Sequence, residues 1–240
     1  MIYLINYGNK PYAKMQKFQS YTARRFGKVD RVIEYSDLDI LADTEFYSNN
    51  KKILSVKKGN GYWLWKPYII YKTLQRLKDD DVLIYSDVDT IFLDSVSPLI
   101  EIMNKHKKDM LVFDSPNKEY QYTKYNLCED LGLTDKSIIT SRQRYASYNL
   151  WRKTDTSLSF AKHWLHHCGN EVFISDDNTS YTPGYIEHYV EHKHDQSIFS
   201  LLTKKNKIEA FRDPSNWGNR LKDEYQNSPY NQILYNGVGN

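Results

Sequence analysis

Two carboxylates one residue apart, Asp87 and Asp89, follow directly on the apolar run Val82-Leu83-Ile84-Tyr85-Ser86. A buried strand that empties into two adjacent charges needs something to offset their desolvation, and a divalent cation does this. Hard carboxylate oxygens suit Mg²⁺ or Mn²⁺, ions that also hold diphosphate oxygens and stabilise charge building on a leaving diphosphate. In open α/β sheets ligands bind beyond the carboxyl ends of the strands, where this pair would fall. Asp-x-Asp alone also describes a strand followed by an acidic turn or a helix cap, so its meaning rests on context.

A second group of candidates is His188, His192 and His194, just ahead of Asp195 and Gln196. His188 to His192 spells H-x-x-E-H, a zinc-peptidase pattern. That chemistry needs a continuous helix and a further downstream carboxylate, whereas Pro183-Gly184 lies just upstream and little chain remains. His163, His166, His167 and Cys168 read as the end of a helix, where histidines serve the surface and the dipole better than they serve zinc. Asp195 opens a helix, whose N-terminus favours the ionised carboxylate. It can act as a general base, as an orienting contact or as a cap.

The elements that must carry these groups alternate between strand and helix patterns. Residues 2–6 read as a strand, 12–26 as a helix closed by Gly27, 31–35 as a strand, and 65–77 as a helix with Pro67 in its first turn. Residues 82–85 form an apolar run of the central-strand type, repeated at 110–113, with further strands at 146–151 and 208–211. Helices are expected at 158–167 and 195–202. Strands separated by helices predict one α/β domain with a mostly parallel sheet covered on both faces. Residues 115–141 carry no clear pattern, and the Asn-rich stretch after Trp217 reads as mobile.

The bulk numbers narrow the class. The chain has 240 residues, enough for one sizeable core, with 40% hydrophobic and 26% charged residues and 21 tyrosines, a composition suited to packing and to stacking on bases and sugars. A net charge of +3, with the basic residues dispersed, gives no footprint for nucleic acid. Cys128 and Cys168 alone make no disulfide framework and fit a reducing compartment. The apolar start lacks a basic leader and reads as a buried strand, and no stretch approaches the ~18 apolar residues that span a bilayer. A soluble, cytoplasmic chain, or one soluble module of a longer one, is expected. The sequon Asn178-Thr179-Ser180 carries little weight without a secretory signal.

Three further blocks accompany the carboxylate pair. They are Gly59-Asn60-Gly61-Tyr62-Trp63-Leu64-Trp65-Lys66-Pro67, then residues 145–151 with the Trp164 helix, then Glu191-His192-Lys193-His194-Asp195-Gln196-Ser197 and the apolar residues after it. In this order they resemble a family of GT-A nucleotide-sugar glycosyltransferases found in bacteria, plants and large algal viruses, over about residues 2–211. The resemblance implies a GT-A fold, with a nucleotide-binding half at about 1–115 and an acceptor-side half at about 116–240. It implies metal-dependent transfer of a sugar from a nucleotide-sugar donor, a UDP-sugar foremost, to a glycan hydroxyl.

The resemblance puts Asp87 and Asp89 on the metal, Mn²⁺ or Mg²⁺, and on the diphosphate, with Ser86 on the donor side. It puts Asn6, Tyr7 and Gly8 around the base and ribose, with Tyr7 stacking on uracil or capping its turn. Lys66 would meet the diphosphate or start a helix in solvent. Asp195 would face the reacting sugar, as base or as orienting contact. Gln196 would bond a sugar hydroxyl, and His194 would complete the metal shell or bond a phosphate, leaving His192 structural. Gly59 and Gly61 would turn the chain tightly, with at least one nearby Trp in the core. Residues 121–126 depart from the family pattern, with Tyr122 in place of Trp and Asn126 in place of Asp. Inversion needs Asp195 or another carboxylate as base for in-line attack; retention needs a donor-face nucleophile or front-face attack. Two rivals stand beside this reading. One is a non-catalytic nucleotide- or carbohydrate-binding module. The other is a sugar nucleotidyltransferase, whose Gly-rich N-terminal loop Asn6-Tyr7-Gly8-Asn9-Lys10 matches poorly.

Overall fold

The computed structural model describes residues 1–177 and 179–237. Its centre is a seven-stranded sheet built from β1 (Ile2–Tyr7), β2 (Arg31–Tyr35), β3 (Val82–Ser86), β5 (Met110–Lys118), β6 (Arg142–Arg144), β7 (Tyr148–Arg152) and β8 (Ala210–Phe211). The order is β2-β1-β3-β7-β5-β6, with β8 beside β5. β1 pairs in parallel with β2 and β3, and β5 with β8. β7 lies antiparallel between β3 and β5, so strands from both halves of the chain share one sheet. The sheet is therefore mostly parallel, with β6 and β7 reversed.

Alternation along the strands divides the core in two. Ile5, Leu83, Tyr85 and Trp151 face one side, where they pack with α2 (Trp65–Leu74), α4 (Asp155–Cys168) and α5 (Asp195–Lys205). Leu4, Val82, Ile84 and Leu150 face the other, against α1 (Ala13–Arg25), α3 (Ser97–Lys105) and the C-terminal segment. β3 is buried at every position, as its unbroken apolar run requires, whereas β2 alternates because it is an edge. α4 starts earlier than its apolar pattern, because Thr154 and Ser157 form a capping box ahead of it.

Several stretches depart from the sequence reading. Short helices fill residues 37–62 and, with an extended β5, residues 115–141. The stretch after Trp217 is not loose: a 3₁₀ segment, Asn216–Glu224, leads to β9 (Leu234–Asn236), which pairs antiparallel with β4 (Thr90–Phe92). Both cysteines are buried free thiols. Among the described residues no helix is long and apolar enough to cross a membrane. Asn178 of the sequon lies outside the described residues.

A candidate active site beyond the central strands

The Asp87-Val88-Asp89 turn joins β3 to β4 at the carboxyl end of the sheet, and it is braced from three sides. Gln19 of α1 donates from Nε2 to Ser86 Oγ (3.1 Å), to Asp87 O (2.5 Å) and to Thr90 O (2.7 Å). Asp87 N donates to Ser147 O (2.7 Å) beside β7, and Gly237 N donates to Asp89 O (3.1 Å) beyond β9. Asn6 completes the brace from within. It is fully buried, donates to Gln19 Oε1 (2.8 Å) and accepts from Gln16 Nε2 (3.0 Å). Asn6 and Ser86 thus shape the turn from behind and line neither of the cavities described below. Gly8 has a packing reason: a Cβ there would lie 2.9 Å from the Gln16 side chain.

Of the two carboxylates above this brace, Asp89 has an oxygen, Oδ1, that is buried with no hydrogen-bond partner among the described residues. Burial, and then the charge of Asp87, push its carboxyl up to about 6. A strained pair with an orphaned oxygen fits a hard divalent cation, which would supply the missing charge and ligand contact. Among the described residues no group of three or more His, Cys, Asp or Glu is already gathered for a metal, so the pair would be completed by other oxygens.

Asp87 continues into a buried ionic chain. Its Oδ1 accepts from the Tyr85 hydroxyl and lies 3.3 Å from Lys66 Nζ, which is 3.1 Å from Asp195 Oδ2. Lys66 and Asp195 are each only 3% exposed. Burial alone would push the Lys66 ammonium down, but Asp195 and Asp87 outweigh it and hold its pKa above the usual value. Burial lifts the Asp195 carboxyl to about 6 against the pull of Lys66. Both groups are charged at neutral pH. Lys66 is therefore not the solvent-facing helix start that was one expectation: it lines the smaller cavity and links the two aspartates.

Two cavities meet here. One, of about 510 Å³, is lined by Tyr7, Asn9, Asn60, Trp65 and Asp89, and the other, of about 310 Å³, by Tyr145, Asn117, His194, Asp195 and Gln196. Trp63 and Asp87 line both. The segment 57–63 forms a wall of both, and in it Gly59, Asn60, Gly61, Tyr62 and Trp63 all have left-handed φ, from 52° to 94°. Three of these carry a Cβ, and each such residue costs ~1–2 kcal/mol. Side chains hold the turn in place: Trp65 Nε1 donates to Gly59 O (3.0 Å), and Asn60 Nδ2 donates to the Tyr7 hydroxyl (2.5 Å) and to Asp37 Oδ1 (2.7 Å). The Tyr7 ring stacks on Trp65 at 3.9 Å, and its hydroxyl donates to Asp37. Burial and Asp37 push its pKa up.

In the histidine-rich stretch His192 is architecture, whereas His194 lines the smaller cavity with its Nε2 in no hydrogen bond among the described residues. His194 has φ 47° and ψ −115° at the start of α5. Its ring sits beside Tyr62 (4.7 Å) and Trp63 (5.5 Å), its Nδ1 bonds Ile174 O (2.7 Å), and its Nε2 lies 3.7 Å from Asp176. Burial lowers its pKa, as it does that of fully buried His192, whose Nε2 bonds Phe173 O (2.9 Å). Gln196 lines the smaller cavity, but its amide is engaged with Gln143 Oε1 (3.0 Å) and Ala146 N (3.2 Å). Trp164 Nε1 donates to Asp195 O (3.0 Å), which fixes the first turn of α5. Around the H-x-x-E-H letters only a 3₁₀ turn, Ile186–His188, forms in place of the peptidase helix. Sequence reasoning passed over Gln19, Asp37 and Asn117, and it placed Tyr145 in a block without giving it a role. Only Asp37 carried a signal, as the residue after Ser36 at a strand end that opens a capped helix.

No family model and no curated protein matches this chain. Solved structures are similar to it in fold. Mouse xyloside xylosyltransferase 1, in its apo form, aligns with a TM-score of 0.53 and 12% identity over 99% of this chain and 98% of that one. The apo bifunctional glycosyltransferase WbbM aligns with a TM-score of 0.53 and 9% identity over all of this chain and 46% of that one. The galactosyltransferase LgtC, in complex with donor and acceptor sugar analogues, aligns less well, with a TM-score of 0.45 and 14% identity over 99% and 87%. The first two likenesses, with the strand order above, establish a GT-A fold.

Proposed function

We propose that this protein transfers a sugar from a nucleotide-sugar donor, a UDP-sugar, to a hydroxyl group of a glycan acceptor, with Mn²⁺ or Mg²⁺ at Asp87 and Asp89. The observation that carries the proposal is the junction of the two cavities. Asp89, with one buried oxygen left unpartnered, lines the larger one, Asp195 lines the smaller, and Asp87 lines both. The two fold relatives, by name a xyloside xylosyltransferase and a bifunctional glycosyltransferase, support the class of reaction.

In this reading the larger cavity takes the nucleoside, with Tyr7, Asn60 and Trp65 as its floor. A cation at Asp87 and Asp89 would neutralise the charge that builds on the departing diphosphate. The acceptor enters the smaller cavity beside Tyr145 and Asn117. Asp195 takes the proton of the attacking hydroxyl. With its carboxyl near 6 it is ionised at neutral pH and is a stronger proton acceptor than an ordinary aspartate. Trp164 and Lys66 hold it in place from the backbone and side-chain ends.

Thermal unfolding against UDP, GDP, dTDP and their sugars, with Mn²⁺ or with EDTA, tests the reading. A donor at about 100 times its dissociation constant stabilises by about 2.7 kcal/mol, a rise of several degrees in Tm. The expected result is stabilisation by UDP ligands with Mn²⁺ only, lost in Asp87→Asn/Asp89→Asn. If no nucleotide stabilises the protein, the donor site is wrong. Binding without sugar release or transfer favours a nucleotide- or carbohydrate-binding module.

A further inference from the structure

Among the described residues Lys66 is the one cation that is ion-paired with both Asp87 and Asp195. It reaches them from the first turn of α2, over the Tyr85 ring at 5.3 Å, and has almost no contact with solvent. Asp87 Oδ1 is thereby shared between an ammonium and the Tyr85 hydroxyl, while Asp89 Oδ1 has neither. A divalent cation arriving at Asp87 and Asp89 meets a carboxylate whose charge is already partly neutralised at 3.3 Å. Like charges so close in a desolvated site repel strongly. Asp195, on the far side of the same ammonium, offers it an alternative partner at 3.1 Å.

We infer that Lys66 is a resident counter-ion that competes with the divalent cation for Asp87 and, as that carboxylate is drawn to the cation, pairs with Asp195 alone. This rests on the proposed reaction and adds a positioning role for Lys66. The protein holds the bare ion weakly and holds it well only with a diphosphate. Metal capture on the donor side is then coupled to the carboxylate on the acceptor side. Lys66 touches no reacting atom in this account; it acts through the two aspartates.

The test is binding of Mn²⁺ alone to the full chain, followed by electron paramagnetic resonance, in the wild type, in Lys66→Met and in Lys66→Met/Asp195→Asn. The double variant matters for two reasons. It leaves no buried carboxylate stranded at position 195, so it keeps the measurement informative if Lys66→Met does not fold. It also preserves net charge: three carboxylates and one ammonium become two carboxylates and none. Competition predicts that both variants bind Mn²⁺ about tenfold tighter than the wild type, and that added UDP improves their affinity less. If the double variant binds Mn²⁺ no tighter, Lys66 does not compete for Asp87 and the inference falls, while the metal site stands. If none of the three proteins binds Mn²⁺, with or without UDP, the proposed reaction falls and takes this inference with it.

Discussion

Asp195 and Asp43 show how far a single side chain's environment decides what it does. Asp195 is buried, raised to about 6 and paired with Lys66. A positioned base is worth ~10²–10⁴ in rate, so Asp195→Asn should lower kcat by that factor with little change in donor KM, measured by steady-state kinetics at saturating Mn²⁺. An equal fall in donor affinity would make it a binding residue instead. Asp43 has the opposite setting. It accepts from Phe46 N (3.0 Å), from the Tyr68 hydroxyl (2.7 Å) and from Lys72 Nζ (2.6 Å), with Lys72 first among the causes that lower its carboxyl to about 2. A carboxyl more acidic in the folded chain than in the unfolded one stabilises fully above pH ~4 and loses that stabilisation as the pH falls towards 2. The side chain is 28% exposed, so screening leaves a contribution on the order of 1–2 kcal/mol. Urea unfolding of Asp43→Asn should show that loss at pH 7 and a flatter decline between pH 4 and pH 2. Asp195 stood out in the sequence because it follows a run of histidines at a helix start. Asp43 did not: its bond from Phe46 N is a local helix cap, but Tyr68 and Lys72, which do most to set its acidity, lie on another helix and nothing local marks them as its partners.

At the scale of elements, what could be read from the chain was what local pattern determines. β2 is where its residues predict, and β1, β3 and α1 differ from expectation by a residue or two at their ends, because apolar runs and helical spacing are local properties. The carboxylate turn is legible for the same reason. The reversed β7 is not, because pairing direction depends on which strands meet, and its residues read alike in either orientation. The left-handed wall at 59–63 was legible at Gly59 and Gly61, and Asn60 is a type that tolerates positive φ, but nothing marks Tyr62 and Trp63 as residues with positive φ. Its strain is held by the hydrogen bonds from Trp65 and Asn60, so the wall should tolerate little change. At Gly61 (φ 94°) a Cβ would lie 2.8 Å from the Leu54 Cα, whereas at Gly132 (φ 67°) a Cβ meets nothing within 4 Å. Gly61→Ala should therefore cost more than 2 kcal/mol and Gly132→Ala about 1 kcal/mol, read from urea unfolding midpoints. Equal costs would mean that the segment around Leu54 yields easily and that the wall is not rigid.

Across the whole molecule the carboxylate turn is held by chain from both ends. Gln19 braces it from behind, and the C-terminal segment clamps it from the side. Phe92 pairs with Leu234 and Thr90 with Asn236, Leu93 N donates to Ile233 O (2.8 Å), and Gly237 N reaches Asp89 O. The polar letters of that segment gave it the look of a loose tail, but the buried anchors Tyr230, Ile233 and Leu234 sit in the same core cluster as Val82, Ile84 and Phe92. Stability and metal capture should therefore separate in a controlled pair of variants. Leu234→Ala and Leu131→Ala each remove a buried leucine, from opposite core clusters, and each should cost ~2–5 kcal/mol. Only Leu234→Ala loosens the strand beside Asp89. Below both melting points, its affinity for UDP with Mn²⁺, measured by calorimetry, should drop about tenfold while that of Leu131→Ala stays near wild type. If both variants lose affinity alike, the turn responds to global stability and the C-terminal strand is no clamp. If neither does, Gln19 and Asn6 suffice to hold the two aspartates in register.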